Sequence, residues 1–328
     1  MTSRRTFIRN STAAALLAAL SLCAHAQPQP TVAILLRGSR KDYALLIDGF
    51  VQGLREQGYE PGRNVQLVEY FADGDVRKLH RIAGDVVRSN PAVVFAPSPW
   101  DVHALRAANA KMPIVHSALN DPVLLKFAQS FNRPGGNITG VSVSSQELTG
   151  KRLELLKELF PRAKRVAVIF DKEEARGCNV ELVEVEKLGK QLGLQIVEFG
   201  FDERRDLPGV FDRIARSKID VAIIPTAMPT YGFGADIIAL AKEQKIPVVY
   251  ESGTLAQAGG VLSYGPDWVW ASRRAGYYAA RILKGANPAE LPIERPKTYQ
   301  LIVNAKALRE LGVTIPPSVL VRADQVIE

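Results

Sequence analysis

Short apolar runs rich in β-branched residues alternate with stretches of helical periodicity from Thr31 to about residue 145, and this alternation constrains the fold more than any other feature. The strand candidates are TVAILL, NVQLVEYF, AVVFAP, IVHSAL and ITGVSV. After the first of them, Leu46, Phe50 and Leu54 recur at the spacing of one helix face. Continuous apolar strands separated by helices indicate a parallel sheet that is covered on both faces.

The same order of elements starts again in the second half of the chain. The strand candidates there are RVAVIF, LQIVEFGF, VAIIPT, PVVYES and GGVLSYG, followed by a helix from about Asp267 to Leu283 and a last strand candidate, TYQLIVN. We therefore predict an α/β protein of two Rossmann-like lobes, each with a parallel sheet. Open α/β sheets bind ligands in the crevice at the carboxyl ends of their strands, so we expect a site between the lobes.

The residues that follow the predicted strands are the candidates for ligand contact, because loops at the carboxyl ends of strands face that crevice. In the first half of the chain they are Arg37, Ser39, Ser98, Trp100, Asn120, Asp121, Ser144 and Ser145. In the second half they are Asp171, Thr226, Tyr231, Glu251, Ser252 and Tyr264. Together they predict a site that combines hydroxyl, charged and aromatic side chains.

These residue types suit an amino acid or a related carboxylate. Hydroxyls and free backbone amides at helix starts can hold a carboxylate, since a helix N-terminus carries unsatisfied donors and partial positive charge. Asp171 or Glu251 could accept an amine, and Trp100 or Tyr231 could cover an apolar or aromatic body. We therefore predict a small organic solute that is amino-acid-like or an aromatic carboxylate.

Several candidates have an equally good structural interpretation. The residues that suit helix caps or helix starts are Ser98, Asp121, Ser145 and Thr226. Asp171 and Glu251 could be solvated or paired with one of the arginines, and Tyr264 could belong to a hinge. The sequence leaves these alternatives open.

The first 26 residues have the pattern of an export signal. A positive segment, SRRTFIRN, precedes the apolar stretch AAALLAALSLCAHA, and small residues at Ala24 and Ala26 predict cleavage after Ala26. Arg4 and Arg5 resemble the twin-arginine export motif, although an ordinary secretory signal can also carry two arginines. Either route predicts a periplasmic protein.

Composition and charge exclude several classes of partner and of enzyme. The formal net charge is +8, but basic and acidic residues alternate and no basic run is interleaved with aromatics, so we expect no nucleic-acid partner. His80, His103 and His116 are not spaced like close metal ligands, and we interpret them as surface or loop residues. A GxSxG elbow is missing, and Cys178 has no CxxC neighbour. We therefore expect no enzymatic activity, no cofactor and no metal.

The segment RPGGN, residues 133–137, is glycine-rich but differs from a phosphate-binding loop. It precedes its strand, ITGVSV, and lacks the lysine of such a loop. Pro134 would end a preceding helix, Gly135 and Gly136 permit unusual backbone angles, and Asn137 can close the turn. We interpret it as a turn.

Successive blocks of the chain resemble one family. The blocks are DPVLLKFAQSFNRPGGNITGVS, KRLELLKELFPRAKRVAVIF, GGVLSYGPD, RRAGYYAARILKGANPAELPIERPKTYQLIVN and LGVTIPPSVLVRADQVIE. Their content and order are similar to those of ABC transporter substrate-binding proteins of the tryptophan-binding type, which have a type I periplasmic-binding-protein fold. The resemblance covers most of the chain after the signal.

This resemblance implies two lobes joined by a multi-strand hinge. Residues 31–142 plus about 264–298 would form lobe one, and residues 143–263 plus about 299–328 would form lobe two. The protein would be a monomeric receptor that closes over a small-molecule ligand and docks on an ABC permease in the inner membrane. Members of the family often differ from this chain at SPWDVH and ESGTLAQ, so the ligand is not carried over.

Two other functions remain open at this point. The same closing lobes could serve a periplasmic sensor that reports ligand occupancy to a receptor kinase or chemoreceptor. A secreted two-lobed hydrolase is a weaker alternative, because the sequence offers it no identifiable nucleophile.

Overall fold

The computed structural model describes residues 29–119, 121–143, 146–172, 175, 180–226 and 228–328. The predicted export signal, Asn120, Ser144, Ser145 and Cys178 lie outside these ranges.

Five parallel strands form the first sheet, in the order β2-β1-β3-β4-β5. These strands are β1 (Thr31–Leu36), β2 (Gln66–Phe71), β3 (Val93–Phe95), β4 (Ile114–Leu119) and β5 (Ile138–Ser142). The helices between them are α1 (Ala44–Arg55), α2 (Val76–Ser89) and α3 (Pro99–Ala107). All three residues of the central strand β3 are buried, as expected of a strand covered on both faces.

Seven strands form the second sheet, in the order β12-β11-β10-β9-β8-β6-β7. They are β6 (Arg165–Asp171), β7 (Gln195–Phe201), β8 (Val221–Ile223), β9 (Val248–Tyr250), β10 (Leu262–Gly265), β11 (Gln300–Asn304) and β12 (Gln325–Ile327). The helices described in this half of the chain are α4 (Gln146–Leu159), α5 (Val180–Gln191), α6 (Leu207–Arg216), α7 (Met228–Gly232), α8 (Gly234–Glu243), α9 (Gly253–Gln257), α10 (Trp268–Leu283), α11 (Ala305–Glu310) and α12 (Pro317–Arg322). The prediction of two parallel-sheet lobes is confirmed. One pairing, β10 with β11, is antiparallel, a direction that the sequence did not reveal.

The chain passes between the lobes three times. It leaves the first sheet after β5, returns after β10 so that α10 packs against α1, β4 and β5, and leaves again to form β11 in the second sheet. Beside the first crossing, the backbone N–H of Ser142 donates to the carbonyl of Glu294 over 2.8 Å, and that of Glu294 donates to Gly140 over 3.0 Å. Neighbouring crossing segments are thus hydrogen-bonded to each other. The domain boundaries given above stay a prediction.

The RPGGN turn is hydrogen-bonded to the loop before β4. Gly135 has a φ of +73°, in the left-handed region that glycine tolerates. The Asn137 side-chain amide donates to the carbonyls of Ala110, over 3.3 Å, and Met112, over 2.8 Å, so it reaches beyond its own turn. The expected helix before Pro134 is wrong, since residues 121–130 form successive turns.

Helices α1 and α10 approach each other closely because both carry glycine at their contact. A Cβ atom on Gly276 would lie 2.1 Å from the carbonyl oxygen of Phe50, and one on Gly53 would lie 1.9 Å from that of Arg273. Asp267 caps the start of α10 by accepting from the backbone N–H of Trp270 over 2.9 Å. The glycine contact holds α10 against lobe one.

We expect Gly276→Ala to lower the free energy of unfolding by about 3 kcal/mol, because the added methyl group meets backbone that cannot move without separating the two helices. Urea unfolding of both proteins would measure this. Gly84→Ala in α2 is the matched control, since its Cβ would meet only the flexible end of Arg88 at 3.4 Å. Equal stability of Gly276→Ala and wild type would contradict the close contact.

Candidate functional site

The two lobes meet at a buried ion pair. Arg37 follows β1 of lobe one, and Asp171 ends β6 of lobe two. The Arg37 guanidinium donates to both carboxylate oxygens of Asp171, with Nη2–Oδ2 at 3.1 Å and Nη1–Oδ1 at 3.4 Å. Both side chains are almost fully buried. The carboxyl edges of the two sheets therefore face each other, as predicted from the order of the strands.

The start of α3 fixes the position of Arg37. Ser98 and Asp101 form a capping box: the Asp101 backbone N–H donates to Ser98 Oγ over 3.2 Å, and the Ser98 backbone N–H donates to Asp101 Oδ2 over 3.1 Å. The other carboxylate oxygen of Asp101 accepts from the backbone N–H of Arg37 over 2.8 Å. Burial raises the pKa of Asp101 to about 6, against the opposing effect of its hydrogen bonds to Ser98 and Arg37. Ser98 thus serves as a helix cap.

Aromatic rings line up across the lobe interface. Tyr231 of α7 lies between Tyr43, just before α1, and Trp268, at the start of α10. The Tyr231 ring centroid is 6.1 Å from that of Tyr43 and 5.3 Å from that of Trp268, and the latter pair is almost parallel. Trp100 lies beside the ion pair, with the guanidinium carbon of Arg37 6.0 Å from its ring centroid. Sequence reasoning identified Trp100 and Tyr231 but missed Tyr43 and Trp268, although both also lie in segments that follow a strand.

A buried polar cluster lies at the carboxyl edge of the second sheet. Arg152 of α4 donates through Nη2 to Glu181 Oε1 over 2.6 Å, and to the hydroxyls of Thr149 and Thr226 over 2.9 Å each. The backbone N–H of Thr226 donates to both carboxylate oxygens of Glu181, at 3.1 Å. The predicted residue Thr226 is therefore held by two residues that sequence reasoning missed, Arg152 and Glu181.

Glu251 belongs to the same edge of the sheet but is bonded differently. It directly follows β9 and is fully buried, and neither of its carboxylate oxygens has a hydrogen-bond partner among the described residues. Burial raises the pKa of Glu251 to about 8, while its own backbone N–H and then the positive charge of Arg152 act in the opposite direction. Loss of hydration also raises the pKa of Glu181, again against the effect of Arg152.

The remaining predicted residues have local partners. Ser39 Oγ donates to Asp42 over 2.7 Å, and Asp42 in turn accepts from Arg204 of lobe two over 3.1 Å. Asp121 accepts from the backbone N–H groups of Val123 and Leu124, at 2.8 Å and 3.0 Å, which is the structural role considered for it. Ser252 Oγ lies 2.9 Å from Thr254 Oγ1. The ring centroid of Tyr264, in β10, lies 6.3 Å from that of Tyr299. Asn120, Ser144 and Ser145 are not among the described residues.

The interpretation of the histidines as surface or loop residues is wrong for His116. It lies fully buried in β4, where its Nδ1 is 3.0 Å from the carbonyl oxygen of Val141 and so carries the proton of a hydrogen bond. Burial lowers the pKa of His116 to about 3, so the imidazole is neutral near pH 7. Within the described ranges, no three His, Cys, Asp or Glu side chains are grouped to hold a metal ion, and no helix is long and apolar enough to cross a membrane.

The fold and the buried interlobe region define a two-lobed substrate-binding protein of the type I periplasmic-binding fold. The chain belongs to the family of ABC transporter substrate binding proteins, whose pattern it matches over residues 31–327. Its function is that of a solute receptor for an ABC transporter. Neither the sensor nor the hydrolase alternative is favoured by its relatives.

Three relatives illustrate this membership. The chain is 26% identical over 263 residues to a tyrosine-binding protein of Clostridioides difficile strain R20291, covering 80% of this chain and 75% of the relative. A Streptococcus pneumoniae domain, whose crystal structure contains L-Trp, has a TM-score of 0.82 at 25% identity, over 92% of this chain and 100% of that one. A conserved domain protein of Vibrio cholerae has a TM-score of 0.83 at 28% identity, over 91% and 100%.

We expect Glu251→Gln to change how stability depends on pH. The pKa of Glu251 rises from 4.5 to about 8 on folding, so the native state keeps a proton that the unfolded chain loses. That contribution to stability is fully present below about pH 4.5 and is lost as the pH rises through 8. Wild type should therefore lose about 3 kcal/mol relative to the variant between pH 5 and pH 8.

Urea unfolding at intervals across that range measures the difference. Glu310→Gln is the control, because Glu310 is half exposed and pairs with Lys242 on the surface. Parallel curves for wild type and Glu251→Gln would show that Glu251 is not perturbed by burial.

Proposed function

We propose that this chain is a monomeric periplasmic receptor for an amino acid or a closely related carboxylate, which it delivers to an ABC permease of the inner membrane. One observation carries the proposal: buried basic and acidic side chains, among them Arg37, Asp171, Arg152 and Glu251, and an aromatic stack from both lobes lie where the two sheets face each other. An amino acid offers the complement of both, with an ammonium group, a carboxylate and a side chain that can contact aromatic rings.

The relatives support this choice of ligand class. One is named for binding tyrosine, and another was crystallised with L-Trp. Tyr43, Tyr231 and Trp100 would cover an apolar or aromatic side chain. Because these rings come from both lobes, a ligand that contacts them favours the closed state by the contacts that only this state provides.

The cellular route is part of the same proposal. The leader would direct export by the twin-arginine pathway and be removed after Ala26. The closed, loaded receptor would then dock on the permease, and the receptor itself would catalyse no reaction.

We expect the mature protein, residues 27–328, to be stabilised by one or a few L-amino acids in a thermal-shift screen that also contains aromatic carboxylates, nucleosides and sugars. A ligand at 100 times its Kd adds about 2.7 kcal/mol, which raises the Tm of a chain of this size by several degrees. Unfolding and refolding before the screen removes any ligand bound in the host. Stabilisation by a sugar or a nucleoside, with no amino acid effective, would overturn the proposed ligand class.

Ligand should also draw the lobes together in solution. The contacts of Arg37 with Asp171 and of Tyr43 with Tyr231 join the two lobes, so separating the lobes would break them. We therefore expect the radius of gyration from X-ray scattering to fall when the ligand found in the screen is added. An unchanged profile at saturation would contradict ligand-driven closure.

A further inference from the structure

Two ionisable side chains of lobe two are buried with unused hydrogen-bonding capacity. Both carboxylate oxygens of Glu251, and the Nε and Nη1 atoms of Arg152, lack partners within the described part of the chain. Both residues are 0% exposed. Buried polar atoms are normally hydrogen-bonded, so atoms without partners at this depth indicate that something else completes their bonding.

The other charged pair at the interface is in the opposite situation. Arg37 and Asp171 donate and accept two hydrogen bonds across the lobes, and their charges offset each other. A ligand that took its ammonium group to Asp171 would have to break this pair. Glu251 has no ion pair to break among the described residues, and its carboxyl group would release its proton to solvent as the ammonium group binds.

Glu251 and Thr226, the hydrogen-bond partner of Arg152, follow neighbouring strands of the second sheet. Glu251 directly follows β9, and Thr226, which accepts a hydrogen bond from Arg152, follows β8. The neighbouring strand β6 ends at Asp171, which reaches lobe one. Glu251 and Thr226 therefore lie at the same edge of the second sheet as Asp171, which contacts lobe one.

We infer that Glu251 binds the ammonium group and Arg152 binds the carboxylate of an α-amino acid, so that lobe two holds the charged head of the ligand. This inference rests on the proposed function. In this arrangement Arg37 and Asp171 form a clasp between the lobes and do not contact the ligand head.

The hydrogen-bond pattern fits this division of roles. Arg152 is oriented through Nη2 alone, by Glu181, Thr149 and Thr226, which leaves its other nitrogens to donate to a carboxylate. Glu181 pairs with Arg152, and the ammonium group and carboxylate of the ligand would add one charge of each sign to the cluster. A ligand that lacks either charged group would leave Glu251 or Arg152 without its partner.

The test uses L-tyrosine and L-tryptophan as probes, each with two analogues. Tyramine and tryptamine lack the carboxylate, whereas 3-(4-hydroxyphenyl)propanoate and 3-indolepropanoate lack the ammonium group. Calorimetry or competition binding to the mature protein should show that wild type binds at least one amino acid at least 100-fold more tightly than both of its analogues. Wild type that binds an amino acid but tolerates either deletion would overturn the inference without any variant.

Two conservative variants then assign each group. Glu251→Gln should weaken binding of the amino acid at least tenfold and leave binding of the propanoate within about twofold. Arg152→Lys keeps a positive charge beside Glu181 but loses Nε and Nη1, so it should weaken the amino acid at least tenfold and spare the amine. Circular dichroism and the Tm establish that each variant is folded.

Arg37→Met combined with Asp171→Asn is the matched control for the clasp. It should weaken all the probes by a similar factor and preserve the discrimination between amino acid and analogues. If this double variant abolishes the discrimination, or if Glu251→Gln and Arg152→Lys bind as wild type does, the inference is overturned while the receptor function stands. If wild type binds neither amino acid, the proposed ligand class itself has failed for these probes, and the inference is abandoned with it.

Discussion

The buried contact between the Arg37 guanidinium and the Asp171 carboxylate decides how the two lobes meet. Removing two charges from water costs about as much as their attraction returns, so such a pair contributes orientation more than net stability. The geometry around it follows from this constraint. Asp101 holds the backbone of Arg37, the capping box of α3 holds Asp101, and the ring of Trp100 lies beside the guanidinium. Residues of lobe one thus fix the position of Arg37, and Asp171 of lobe two pairs with it.

The sequence was sufficient for the layers of the fold because apolar strands and helix periodicity are local patterns. Every residue of β3 is buried, as its apolar run predicts, and the carboxyl edges face each other. The antiparallel pairing of β11 with β10 was out of reach, since no local pattern encodes the direction in which a strand joins a sheet. His116 was misjudged for a related reason. A polar residue inside an apolar run can be buried when a neighbouring carbonyl, here that of Val141, accepts its proton.

Sequence reasoning named candidate residues only in the segments that follow strands. Asp171, Thr226 and Glu251 were found in this way, but Arg152 lies within the helical block KRLELLKELF and Glu181 within a run of acids, and both patterns indicate exposed helix faces. Their meeting with Thr226 joins residues far apart in the chain. Ser98 was named from the sequence but has a structural role. A helix cap and a ligand contact can require the same side chain at the same place, and here the hydroxyl of Ser98 takes part in the capping box.

The return of the chain to lobe one through α10 has a consequence for the order in which the protein folds during synthesis. The face of α1 that carries Gly53 is covered by residues of α10, more than 200 positions later in the sequence. Lobe one therefore cannot complete its packing while the ribosome is still translating lobe two, although its own sheet has already been made. The second sheet likewise lacks β11 and β12 until translation has almost finished. Both lobes reach their final form together, after most of the chain has emerged.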